Sequence, residues 1–164
     1  MHRLTTVLGL IVALTLVLSC GRFMVKRAPL DEIPEDMETQ DKIDLLEKMT
    51  QEYPKDPMLF YTLGNLYYDE ALPSLARSRY ETALKLDPKM NKARVNLAMV
   101  LAELDEPDSA LILLGEALKI DPCDTKAFTN IGVIYYSRRD FDHAVKNFTK
   151  AIECDPNNIE AHYT

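Results

Sequence analysis

Apolar positions recur along this chain on a helical period rather than an alternating one. In Asp41 to Tyr53, DKIDLLEKMTQEY, the residues Ile43, Leu46 and Met49 fall three apart and share one face of a helix. Further on, the stretches ALKLDP, ALKIDP and AIECDP close at Pro88, Pro122 and Pro156, each 34 residues after the last. A fixed period of that length marks a helix-turn-helix unit, which buries its apolar face only by stacking on its neighbours. One segment follows neither pattern. Leu4 to Ser19 is a run of sixteen residues without a charge.

Within the period, small and bulky residues keep fixed places. Residues 57–90 carry Phe60, Leu63, Gly64 and Tyr67 on a first helix, then Ala76, Tyr80 and Ala83 on a second. Residues 125–158 repeat this with Phe128, Ile131, Gly132, Tyr135, Ala144, Phe148 and Ala151. Residues 91–124 are looser: Leu97, Ala98, Ala110 and Ala117 remain, while Arg94 takes the aromatic place and Leu101 and Leu114 replace aromatics. Small residues let paired helices approach, and bulky ones fill the spaces between them. Pro73 and Pro107 open second helices, where a missing N–H costs nothing.

These residues resemble the tetratricopeptide-repeat family. The resemblance implies an all-α chain, a right-handed α-solenoid of three repeats at 57–90, 91–124 and 125–158. Pro54 lies 34 residues before Pro88, so 41–56 reads in register as a half-repeat that caps the stack. Residues 159–164 open a further first helix, and Phe148, Ala151 and Ile152 need either more array or a partner to cover them; a longer array is the expectation. The family lines a concave groove with its first helices. The matching positions here are Tyr61, Asn65 and Tyr68, then Lys92, Val95, Asn96 and Met99, then Lys126, Thr129, Asn130, Val133 and Tyr136. Such a lining suits an extended or helical peptide, with amides for its backbone and Tyr and Met for its side chains. Some members grip a terminal carboxylate there; Asn65, Asn96 and Lys126 match three of those places, while Tyr61 and Asn130 depart from two.

The amino-terminal segment changes where such an array would sit. Met1-His2-Arg3 is basic, the apolar run is at the short edge for a spanning helix, and Val17-Leu18-Ser19-Cys20 ends it. The last four resemble the lipobox of bacterial lipoproteins. That resemblance implies a signal peptide over 1–19, acylation of Cys20 and a periplasm-facing lipid anchor in the cell envelope, stable because several chains hold together. Arg22, Lys26 and Arg27 instead favour a signal-anchor helix with a cytoplasmic carboxyl side. Residues 20–40, with two prolines and no sustained period, read as a flexible tether.

Charge and chemistry then narrow the functions. A net charge of −7 repels phosphate backbones and argues against nucleic acid as a partner. The three His at 2, 143 and 162 have no metal-ligand spacing, and no nucleophile, phosphate-loop or dinucleotide motif is present, so neither cofactor, metal, small-molecule substrate nor catalysis is expected. Cys154 takes the place of Leu86 and Ile120, expected to be buried, and Cys123 lies in a turn of the preceding repeat; their close approach is not expected. The expected function is a protein-binding scaffold, lipid-anchored and assisting assembly of a membrane complex. Two alternatives stand beside it: the recruiting front of a longer enzyme, and a membrane-anchored cytoplasmic co-chaperone.

Overall fold

The structure, a computed structural model, describes residues 26–155. The expected signal peptide, Cys20 and residues 159–164 lie outside the described residues. Among the described residues seven α-helices follow one another: α1 (Thr39–Glu52), α2 (Pro57–Asp69), α3 (Pro73–Leu86), α4 (Asn91–Glu103), α5 (Pro107–Ile120), α6 (Thr125–Ser137) and α7 (Phe141–Cys154). Among the described residues there is no strand. Each helix packs on its neighbours in sequence, and α4 also meets α6, so successive first helices lie side by side. The chain is an α-solenoid.

Local chemistry sets each boundary. Pro57, Pro73 and Pro107 stand at helix starts. Asp56 and Asp124 cap α2 and α6, accepting from Met58 N and Ala127 N at 3.0 Å each. The Asp-Pro pairs end second helices for a double reason. Proline cannot continue the ladder, and the preceding carboxylate reaches past it to the next free N–H: Asp87 Oδ1 accepts from Lys89 N and Asp121 Oδ1 from Cys123 N, both at 3.0 Å. First helices end in left-handed residues at a 34-residue spacing, Ala71, Asp105 and Arg139, with φ of 56°, 62° and 61°. The N–H groups that follow them return to Tyr67, Leu101 and Tyr135 carbonyls, closing the last turn.

The core runs through the stack without a break from Ile43, Leu46 and Met49 on α1 to Ile134 on α6. Leu46, Leu59, Leu63 and Leu114 are among its fully buried side chains, each contributing about 1.5–3 kcal/mol by leaving water. The tightest approach is between the two helices of a repeat. A Cβ on Gly64 would lie 2.5 Å from Tyr80 Cε1, and one on Gly132 would lie 2.5 Å from Phe148 Cε1. The middle repeat uses Ala98 and Leu114 at those places, both fully buried. A smaller side chain there leaves room for the methyl.

The half-repeat helix is bonded as well as packed. Glu47 on α1 accepts from Tyr67 Oη and pairs with Arg79 of α3, both at 2.7 Å. Burial first, and the Glu47 carboxylate second, raise the Tyr67 phenol above its usual pKa.

Three expectations give way. Residues 20–40 are not tether throughout: from residue 26 the chain lies against the array, with Ala28 buried and its N–H donating to Asp56 Oδ2 at 2.6 Å. Asp56, only 2% exposed, therefore spends one oxygen on its helix and the other on this strap. The second is the buried place assigned to Cys154: Leu86 and Ile120 are 36% and 46% exposed, because the next helix covers Ala83 and Ala117 one turn earlier. The third is the separation of the cysteines. Cys123 and Cys154 form a disulfide with Cα atoms 5.4 Å apart. Cys123 belongs to the preceding repeat by number, yet its turn leads into α6, whose start lies beside the end of its antiparallel partner α7. The bond adjoins a small apolar cluster of Phe128 and Ala151.

Two stability outcomes follow, both read by urea unfolding. Gly64→Ala and Gly132→Ala should each destabilise by about 1–3 kcal/mol through overpacking. Gly115→Ala, whose new methyl meets nothing within 4 Å, should instead stabilise by about 0.5–1 kcal/mol; equal effects at all three would contradict the packing. Reducing the disulfide, which spans 31 residues, should destabilise α6–α7 by up to about 4 kcal/mol.

Candidate functional site: the face of the first helices

The positions expected to line a groove fall on α2, α4 and α6, and hydrogen bonds tie those helices together across it. Asn65 Oδ1 accepts from Tyr80 Oη at 2.8 Å and from Asn96 Nδ2 at 3.0 Å. Tyr68 Oη donates to Glu103. Asn91 Nδ2 donates to Asp124 Oδ2 at 2.8 Å, joining the start of α4 to the cap of α6. Tyr61 is half-buried, its ring 6.0 Å from Tyr80 and under the Lys92 ammonium at 4.7 Å. Cation and ring attract through the ring's negative face.

The two asparagines thus meet each other before they meet anything else. Asn65 Nδ2 and Asn96 Oδ1 have no partner among the described residues, leaving one donor and one acceptor. A peptide unit requires that complement. Lys126 is exposed and joins neither, so three places that match a carboxylate grip do not come together as one. Val95 and Thr129, expected on the surface, are 3% and 9% exposed. At the same place Tyr61 reaches out because its ring is long; a short side chain there stays under the next helix.

Polarity changes along the face. Met99 and Asn130 are half-buried. In the last repeat Val133 and Tyr136 are 46% and 57% exposed, and the Tyr136 ring meets exposed Phe141 edge-on at 5.6 Å. Val133, Tyr136 and Phe141 thus leave apolar surface exposed where α6 meets α7. Sequence reasoning names Val133 and Tyr136 but misses Phe141, which sits at a second-helix start where the other repeats place prolines.

Other clusters have structural explanations. Asp140 accepts from His143 N at 3.3 Å and lies 2.8 Å from His143 Nδ1, which lowers its carboxyl pKa. His143 is exposed and Asp140 half-buried, His143 stacks on Tyr135 at 5.0 Å, and the pair caps α7. Arg94, 9% exposed, occupies the aromatic place; its Nη2 donates to Pro88 O at 2.5 Å and its Nε faces Glu116 at 3.4 Å. Among the described residues no group of three or more His, Cys, Asp or Glu could hold a metal ion. No described helix is long and apolar enough to cross a membrane.

The hydrogen bond to Glu103, with burial adding to it, pushes the Tyr68 phenol up to about 12. A raised folded-state value means the bond's stabilisation is complete below the ordinary phenol pKa of about 10 and is lost as pH rises through the folded value. Glu103→Gln should bring the Tyr68 titration back toward the ordinary range in isotope-labelled tyrosine NMR. An unchanged titration would contradict the bond between α2 and α4.

Comparison with known proteins supplies the relatives of this arrangement. A tetratricopeptide-repeat family model matches residues 61–127, and a second matches 125–158. No curated protein sequence matches the chain. Among solved structures, YrrB, described as a TPR protein with an unusual peptide-binding site, is similar with a TM-score of 0.70 at 28% identity, over 76% of this chain and 64% of that one. MamA is similar with a TM-score of 0.69 at 24% identity, over 76% and 72%. The first TPR of Spaghetti (RPAP3), solved with an HSP90 peptide SRMEEVD, has a TM-score of 0.61 at 23% identity, over 65% and 84%.

Proposed function

Residues 61–158 are tetratricopeptide repeats, and from that premise we propose that the chain is a protein-interaction scaffold that holds a partner polypeptide against α2, α4 and α6. The observation that carries this reading is the exposed Val133–Tyr136–Phe141 patch at one end of a face that also offers the unpaired amide atoms of Asn65 and Asn96. An apolar anchor with backbone-matching polar atoms further along the same stack is what an extended peptide requires. Peptide binding by YrrB and by the first TPR of Spaghetti supports the same use of this fold. Helices stacked in this way supply a surface, and the reading assigns them binding rather than catalysis.

The scaffold is lipid-anchored through Cys20 in a bacterial cell envelope, faces the periplasm and assists assembly of a membrane complex. The Cys123–Cys154 bond supports an oxidising compartment and disfavours the cytoplasm-facing alternative. Fold alone does not choose the partner.

Labelled palmitate should enter the wild-type chain and not Cys20→Ala; equal labelling of both would remove the anchor. In the same cells, Val133→Ser/Tyr136→Ser should weaken capture of the envelope partner by about thirtyfold, the loss of one binding hot spot. Its melting temperature should stay close to that of the wild type, since both side chains face solvent. Unchanged capture would contradict the groove.

A further inference from the structure

A cavity of about 530 Å³ opens between the starts of α2 and α4, the end of α3 and the strap at Arg27. That volume is ample for several peptide side chains. It has a cationic rim: Arg27, Lys55 and Lys92 line it. None of the three has an acidic partner within ion-pair distance among the described residues, although the chain as a whole is strongly acidic. Two carboxylates also line it, so the cations outnumber the anions by one: Asp56 takes Met58 N and Ala28 N on its two oxygens, and Asp87 takes Lys89 N on Oδ1.

Two further features describe what would fit. Asn91 lines the cavity with its Nδ2 committed to Asp124, while its buried Oδ1 has no donor among the described residues. That oxygen is out of contact with solvent, so a ligand N–H pairs with it only if the Asn91 amide turns into the cavity. Met58 and Leu86 supply apolar wall, and Lys92 belongs both to this rim and to the groove, making the two continuous. A ligand that brings carboxylates, an N–H and apolar side chains is a polypeptide; inorganic phosphate brings negative charge alone, and a phosphatidylglycerol brings charge and acyl chains but no N–H.

Resting on the scaffold reading, we propose that this cavity is a second, electrostatic subsite of the groove, which seats an acidic segment of the partner polypeptide on Arg27, Lys55 and Lys92. Because Arg27 comes from the strap, the site is complete only while Ala28 stays docked on Asp56. The subsite sets which end of the partner lies toward the amino terminus of the array.

The test uses the full chain in non-ionic detergent and a fluorescent peptide of alternating leucine and glutamate, followed by anisotropy. Arg27→Gln/Lys55→Gln/Lys92→Gln should weaken binding by about tenfold, as three partly exposed pairs imply. Lys48→Gln/Lys119→Gln/Lys146→Gln removes the same charge elsewhere and should change it by less than about twofold by the same reckoning. A leucine–glutamine peptide should bind the wild type as weakly as the acidic one binds the cavity variant. Equal losses in the two triple variants, or equal binding of the two peptides, would overturn the proposal. So would displacement of the peptide by glycerophosphoglycerol, which would mark a lipid-headgroup site. Loss of peptide binding only with Val133→Ser/Tyr136→Ser would overturn the subsite and leave the groove standing.

Discussion

Where Gly64 lacks a Cβ, the Tyr80 ring of the neighbouring helix occupies the space, and everything else in the array is arranged around that approach. Two helices that close cannot slide or rotate without a clash, because a methyl would already lie 2.5 Å from ring carbon. A hairpin held so rigidly offers a defined apolar face to the next one. The same contact recurs at Gly132 and Phe148, and the stack propagates from one fixed unit to another.

The repeats differ, yet their differences compensate within each unit. Tyr80 has Asn65 in reach of its hydroxyl, whereas Leu114 and Phe148, which carry none, stand in repeats with Met99 and Val133 at that place. Arg94 replaces an aromatic ring and faces Glu116; Phe128 keeps the ring and has the Lys150 ammonium 5.3 Å above it. A buried guanidinium needs a counter-charge, while a ring face accepts a cation. Such paired choices let the middle repeat abandon the family pattern without abandoning its geometry. On the first-helix face, Asn65 and Asn96 bond to each other and to Tyr80, and each amide keeps one polar atom unpaired among the described residues.

Helix order, the register of α1 and much of the buried set are legible in the sequence because burial at a 34-residue period leaves its mark on every repeat. Ile43, Leu46, Ala76 and Ala117 need only their spacing to be placed. What spacing hides is contact across a hairpin. Cys123 and Cys154 differ in repeat and in repeat position, but antiparallel helices bring the entry of α6 to the end of α7. The docking of Ala28 on Asp56 is equally hidden, since a single backbone N–H has no signature in sequence. The left-handed turns escape notice as well, because Ala71, Asp105 and Arg139 replace the glycine that ordinarily signals them. Along the first-helix face, Val133 and Tyr136 are readable as surface, whereas Val95 is not: only the thickness of the neighbouring helix decides that it is covered.

If close approach in the hairpin governs the fold, the middle repeat's solution must work in the first. A double-mutant cycle on Gly64→Ala and Tyr80→Leu, measured by urea unfolding, tests this by transplanting the Ala98–Leu114 pair. The double variant should be more stable than the sum of the single losses by about 0.5–3 kcal/mol, the usual range for residues in contact. Strict additivity would contradict the account, for it would mean that the glycine and the ring do not hold the two helices together.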